Sequence, residues 1–111
     1  MNLPSDADGD VLRRLKESGF SFDQEVEIDF NIDFETWPPH KDTMKTLKTK
    51  LKDVHISIQE DHIQVTIKDY LTYELVIDLQ KILTELAEPY GGYCNSWGLL
   101  WNPEITPPSF R

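Results

Sequence analysis

From Glu25 to Phe34 the chain alternates polar and apolar side chains without an error: Glu-Val-Glu-Ile-Asp-Phe-Asn-Ile-Asp-Phe. Successive side chains of an extended strand point to opposite faces, so this period forces a strand with two unlike surfaces. One surface carries Val26, Ile28, Phe30, Ile32 and Phe34, and the other carries Glu25, Glu27, Asp29, Asn31 and Asp33. Neighbours on one surface are two residues apart, roughly 7 Å along the strand. A strand that is greasy on one side and acidic on the other belongs in an antiparallel or mixed sheet covered by helices on one side only.

The flanking segments supply those helices and further strands. Asp8 to Gly19 reads as a short helix, with acids at its start, bases further along, an apolar edge of Val11, Leu12 and Leu15, and Gly19 as a left-handed stop. Pro38 and Pro39 are expected to open a second helix, with His40, Met44, Leu47 and Leu51 turned to the sheet. Residues 54–58 and 63–67 both alternate and are joined by a short polar connection, the pattern of a hairpin. Thr72 is placed to cap a third helix striped by Leu75, Leu79, Ile82 and Leu86, which Pro89 ends. Gly91 and Gly92 then lead into a last strand, residues 93–101.

The order is a helix followed by βαββαβ. The fold class predicted is α+β: a ferredoxin-like βαββαβ sandwich with an additional N-terminal helix and one sheet face open. The first strand is then central, and its acidic row looks outward. A single ferredoxin-like domain is expected over residues 8–102, after an N-terminal arm (1–7) and before an extended, proline-containing C-terminal tail (103–111).

Composition narrows the function. Acidic residues outnumber basic ones 20 to 11, for a formal charge of −9, which argues against a general nucleic-acid binder. Acids on the central strand also repel phosphate where RNA-binding sheets stack bases on aromatic side chains, so the sheet face is not expected to bind nucleic acid directly. No apolar run approaches the roughly 18 residues of a membrane span, and the opening residues lack the basic start and apolar stretch of a signal peptide. A cytoplasmic protein without membrane contact is expected. The lone Cys94 forms no internal disulfide and cannot by itself hold a structural zinc, and His40, His55 and His62 lack the spacing of a metal site. No catalytic nucleophile, metal or cofactor is assigned.

Three readings fit the acidic row: a solvated surface partly neutralised by neighbours such as Lys68, a docking surface for a basic partner, or a divalent-metal or two-carboxylate site of a small hydrolase. Asp6, Asp8 and Asp10 invite a calcium-loop reading, but Val11 stands where such a loop needs glycine, and capping of the first helix accounts for the acids at less cost. Lys41, Lys45, Lys48 and Lys52 fall on one helical stripe, either a solvated surface or a contact for an acidic protein segment or an RNA backbone. In the last strand, alternation sets Tyr93, Asn95, Trp97, Leu99 and Trp101 on one face, beside the acidic row, unless a bulge at the glycines reverses it. Trp97 and Trp101 are thus either core residues or an exposed ridge.

Asp8-Gly9-Asp10-Val11-Leu12-Arg13-Arg14-Leu15 with Gly19-Phe20, the strand 26–34, and Ala87-Glu88-Pro89-Tyr90-Gly91-Gly92 leading to Asn95-Ser96-Trp97-Gly98 together resemble the bacterial regulator of ribonuclease activity B family. Asn95 and Ser96 stand where that family usually has Asp and Gly before the tryptophan. The resemblance implies a non-catalytic protein that binds ribonuclease E and restrains RNA cleavage. The pattern adds a surface for that contact: Glu25, Glu27, Asp29, Asn31 and Asp33 against a basic segment of the enzyme, with Trp97 and Trp101 as apolar anchors. The alternatives are the metal-dependent hydrolase and an interaction module with another partner.

Overall fold

The computed structural model describes residues 7–99. In chain order they form α1 (Ala7–Glu17), β1 (Glu25–Phe34), α2 (Asp42–Lys50), β2 (His55–Ile58), β3 (His62–Tyr70), α3 (Tyr73–Ala87), a single 3-10 turn (Glu88–Tyr90) and β4 (Gly92–Leu99). The four strands make one antiparallel sheet in the order β2-β3-β1-β4. This is an α+β protein whose strand order is the one a split βαβ arrangement requires. The arm before Ala7 and the tail 103–111 lie outside the described residues.

Because β1 is paired on both edges, its alternation propagates across the sheet. Phe30 lies opposite Val65 of β3 and Trp97 of β4, Ile32 opposite Ile63 and Cys94, and Ile28 opposite Ile67 and Leu99. Ile28, Phe30, Ile32 and Ile63 are fully buried, and they join Leu12 and Leu15 of α1, Leu47 of α2 and Val76, Leu83 and Ala87 of α3 in one core. All three helices therefore cover the same face. Burying such side chains contributes roughly 1.5–3 kcal/mol each, so this layer carries most of the driving force for folding.

The helix ends follow local chemistry. Gly19, at φ 91°, lets α1 close with the Phe20 N–H donating to the Leu15 carbonyl at 3.0 Å, as expected of a glycine stop. Thr72 caps α3, its Oγ1 accepting from the Leu75 N–H at 3.0 Å. Two expectations are corrected. The prolines do not open α2: the helix starts at Asp42, and the exposed His40 turns back to accept the Asp42 N–H at Nδ1 (3.1 Å) instead of facing the sheet. On α3 the buried line is Val76, Leu83 and Ala87, while Ile82 is exposed. Apolar residues cover a wide arc of α3, and its packing on the sheet selects which line faces down.

The helix layer is tied to the sheet by one carboxylate. Asp8, in the first turn of α1, accepts the Trp97 indole N–H at Oδ1 (2.7 Å) and the Gln80 side-chain amide at Oδ2 (3.1 Å), joining α1, β4 and α3. A hydrogen bond to a charged acceptor contributes about 1.5–3 kcal/mol, and its loss here strands a buried indole donor. Asp8→Ala is expected to lower stability by about 2 kcal/mol, read as a reduced urea midpoint, with Asp8→Asn losing less because it keeps an acceptor.

Candidate functional site

The register of β1 builds a polar surface on the side away from the helices. Along it Glu25 lies opposite Tyr70, Glu27 opposite Lys68, Asp29 opposite Thr66, Asn31 opposite Gln64 and Asp33 opposite His62. On the other edge β4 contributes Gly98 beside Asp29, Ser96 beside Asn31 and Tyr93 beside Asp33, and β2 adds His55 and Ser57. Glu25 and Glu27 are exposed, and Asp29 and Asp33 are half-buried. The surface is held by its own hydrogen bonds: Thr66 Oγ1 donates to Asp29 Oδ1 at 2.7 Å, and the Asn31 amide donates to Ser96 Oγ at 3.0 Å. Asn31 Oδ1 is buried and accepts no hydrogen bond. A shallow groove of about 570 Å³ runs over Glu27, Asp29, Thr66 and Lys68 to Asp53 and His55.

Four carboxylates thus share this face with one ammonium, that of Lys68, among the described strands. Adjacent carboxylates some 7 Å apart repel by about 0.6 kcal/mol in bulk water and more against a protein wall. The row attracts cationic side chains by the same arithmetic. Among the described residues no group of three or more His, Cys, Asp or Glu side chains is placed to hold a metal ion.

The structure corrects the placement of the last strand. The register of β4 on β1 shifts between Asn31 and Ile32, so that Asn95 is an extra, bulged residue. Tyr93, before the bulge, shares the acidic face with Ser96 and Gly98, whereas Cys94 shares the core face with Trp97 and Leu99. Trp97 is only 6% exposed and is bonded to Asp8, so it is a core residue and not an exposed anchor. Simple alternation carried across residues 93–97 put it on the wrong side. Trp101 lies outside the described residues. Two tyrosines take the exposed aromatic positions: Tyr93 at 47% and Tyr70 at 50% exposure, near opposite ends of the acidic row. Tyr70 lies beyond the alternating residues 63–67, on the part of β3 that the pattern does not mark as strand.

The remaining candidates resolve into structural roles. Both Asp8 oxygens accept hydrogen bonds from α3 and β4, and Asp10 pairs with Arg13 on its own helix; Asp6 lies outside the described residues. Cys94 is packed on the core side, its N–H donating to Thr84 Oγ1 at 2.9 Å. Burial, reinforced by the nearby Asp8 carboxylate and only partly offset by a hydrogen bond from the Ser96 backbone, pushes its thiol from 9.0 up to about 12. A thiol so held is a poor nucleophile.

Fold and surface together define a class: an α+β protein with helices on one face of an antiparallel sheet and a carboxylate row on the other. The family model for regulator of ribonuclease activity B matches residues 5–99, and the chain belongs to that family. The family is one of regulators of ribonuclease activity. No curated protein matches the chain in a direct sequence comparison. Among the described residues no helix is long and apolar enough to cross a membrane.

The Cys94 thiol makes stability fall at alkaline pH with a definite sign. Its folded value lies above its unfolded one, so the contribution is complete below about pH 9 and is lost as pH rises toward about 12, because the unfolded chain releases a proton that the folded chain retains. One proton corresponds to at most about 1.4 kcal/mol per pH unit. Urea unfolding at neutral and alkaline pH is expected to show a smaller alkaline loss in Cys94→Ala than in the wild type.

Proposed function

We propose that this protein is a non-catalytic regulator that binds ribonuclease E through the acidic face of its sheet. The observation that carries the reading is the row Glu25, Glu27, Asp29, Asp33, set at two-residue spacing on a central strand, with every described helix on the opposite face. Membership of the regulator of ribonuclease activity B family supports the class of partner.

The chemistry suits an extended, basic segment of the enzyme. Lysine or arginine side chains spaced along such a segment meet successive carboxylates, while Asn31, bonded to Ser96, sits buried between them. Tyr70 and Tyr93, rather than Trp97, are the apolar anchors near either end, since exposed tyrosines gain most from desolvation at an interface. Trp101 stays assigned to this surface on the sequence alone. A row of negative charge presents a basic segment with the same sign as an RNA backbone. Occupying that segment restrains cleavage by competing with substrate, without chemistry of the regulator's own.

The test is calorimetric titration of a ribonuclease E fragment containing its basic segment with the full chain. Glu27→Lys combined with Asp29→Lys is expected to weaken binding at least roughly tenfold while far-ultraviolet circular dichroism stays that of the wild type, and the wild-type association rate should fall as salt rises. Unchanged affinity in the folded double variant would show the face to be merely solvated.

A further inference from the structure

The helix layer carries a second charged surface, of opposite sign. Residues 41–53 hold five lysines against Asp42 and Asp53, a net +3, which leaves −12 on the rest of the chain. Lys41, Lys45, Lys48, Lys50 and Lys52 are all exposed, and none lies within ion-pair distance of a carboxylate among the described residues. Because α2 ends at Lys50, Lys52 leaves the expected stripe, while Lys41, Lys45 and Lys48 keep one face, opposite the buried Thr43 and Leu47.

Beside that face lies a groove of about 340 Å³ between α2 and the 3-10 turn, lined by Asp42, Lys45, Thr46, Thr49, Lys50 and Tyr90. Thr46 Oγ1 and the Tyr90 hydroxyl are hydrogen-bonded at 2.8 Å, which fixes the floor. His40 stacks on the Tyr90 ring with centroids 6.0 Å apart and planes inclined by 21°. His40 Nδ1 accepts the Asp42 N–H, which orients the ring, and His40 is exposed. Two ammonium groups, three hydroxyls and the Asp42 carboxylate therefore line the groove, and the oriented His40 imidazole stacks on the Tyr90 ring that forms one of its walls.

We propose that this groove is a weak binding site for single-stranded RNA. Lys45 and Lys50 take a phosphate between them, Lys41 and Lys48 take neighbouring phosphates along the helix, and a base stacks on the outer ring face of His40. Lysines one turn apart on a helix are spaced by about 4.5–6 Å, a step that an extended phosphate backbone can follow. An acidic protein segment shares the charge requirement, but it has no use for a planar platform, and the groove lining has no aliphatic side chain to anchor it. The −12 on the remaining chain opposes RNA, so the site holds RNA weakly. The site is independent of the sheet face and does not rest on the proposed contact with ribonuclease E.

Fluorescence anisotropy of a labelled short single-stranded RNA with the full chain tests it. The expected result is binding at low salt that falls with a log–log slope of roughly −1.5 to −3, the value for two to four neutralised phosphates. Lys45→Glu with Lys50→Glu should weaken it at least roughly tenfold, and His40→Ala several-fold. Lys16→Glu with Lys81→Glu, which makes the same change in net charge at exposed positions on α1 and α3, should leave it nearly unchanged. Absence of RNA binding by the wild type at low salt overturns the proposal, as does equal weakening by the two charge-matched pairs. So does a polyglutamate peptide that binds as tightly as RNA and is indifferent to His40→Ala, which would assign the groove to acidic protein segments.

Discussion

Hydrogen bonding of β1 on both edges is the constraint from which the remaining architecture follows. A central strand cannot turn its faces independently of its neighbours, so the alternation of Glu25 to Phe34 sets the polarity of the whole sheet. The apolar side gathers Val65 and Ile63 of β3 and Trp97 of β4 under three helices. The polar side collects its carboxylates where no described helix lies. Fold and candidate site are two consequences of one period.

Two surfaces of the molecule carry opposite charge, while further acids are spread over α1 and α3. Acids line the outer face of the sheet, and lysines gather on α2 in the opposite layer. An acidic protein so divided can attract a basic protein segment on one side and tolerate phosphate on the other. Asp8 stands apart from both surfaces: its charge is spent inside the fold, holding the indole of Trp97 and the amide of Gln80.

Much of this was legible in the residues. The period of β1, the Gly19 stop and the Thr72 cap each follow from local chemistry, and they emerge in the structure as read. What was not legible depends on pairing between distant segments. The bulged Asn95 reverses the facing of Trp97, and no strand signal in residues 93–99 reveals an extra residue, because a bulge is defined by the partner strand. The buried line of α3 depends on how the helix packs on the sheet, since Leu75, Val76, Leu79 and Leu83 are all apolar. Asp8 looked like a helix-terminal acid, and its partners lie 72 and 89 residues away in sequence.

The central claim, that the acidic sheet face is the docking surface, is most directly tested by mapping amide chemical shifts of the isotope-labelled protein as a ribonuclease E fragment is added. The account predicts shifts concentrated on alternate residues of β1 and β3, among them Glu27, Asp29, Thr66 and Lys68, with Tyr70 and Tyr93 at the margins. Shifts confined to α1, α2 and α3, with the acidic row unmoved, would contradict it.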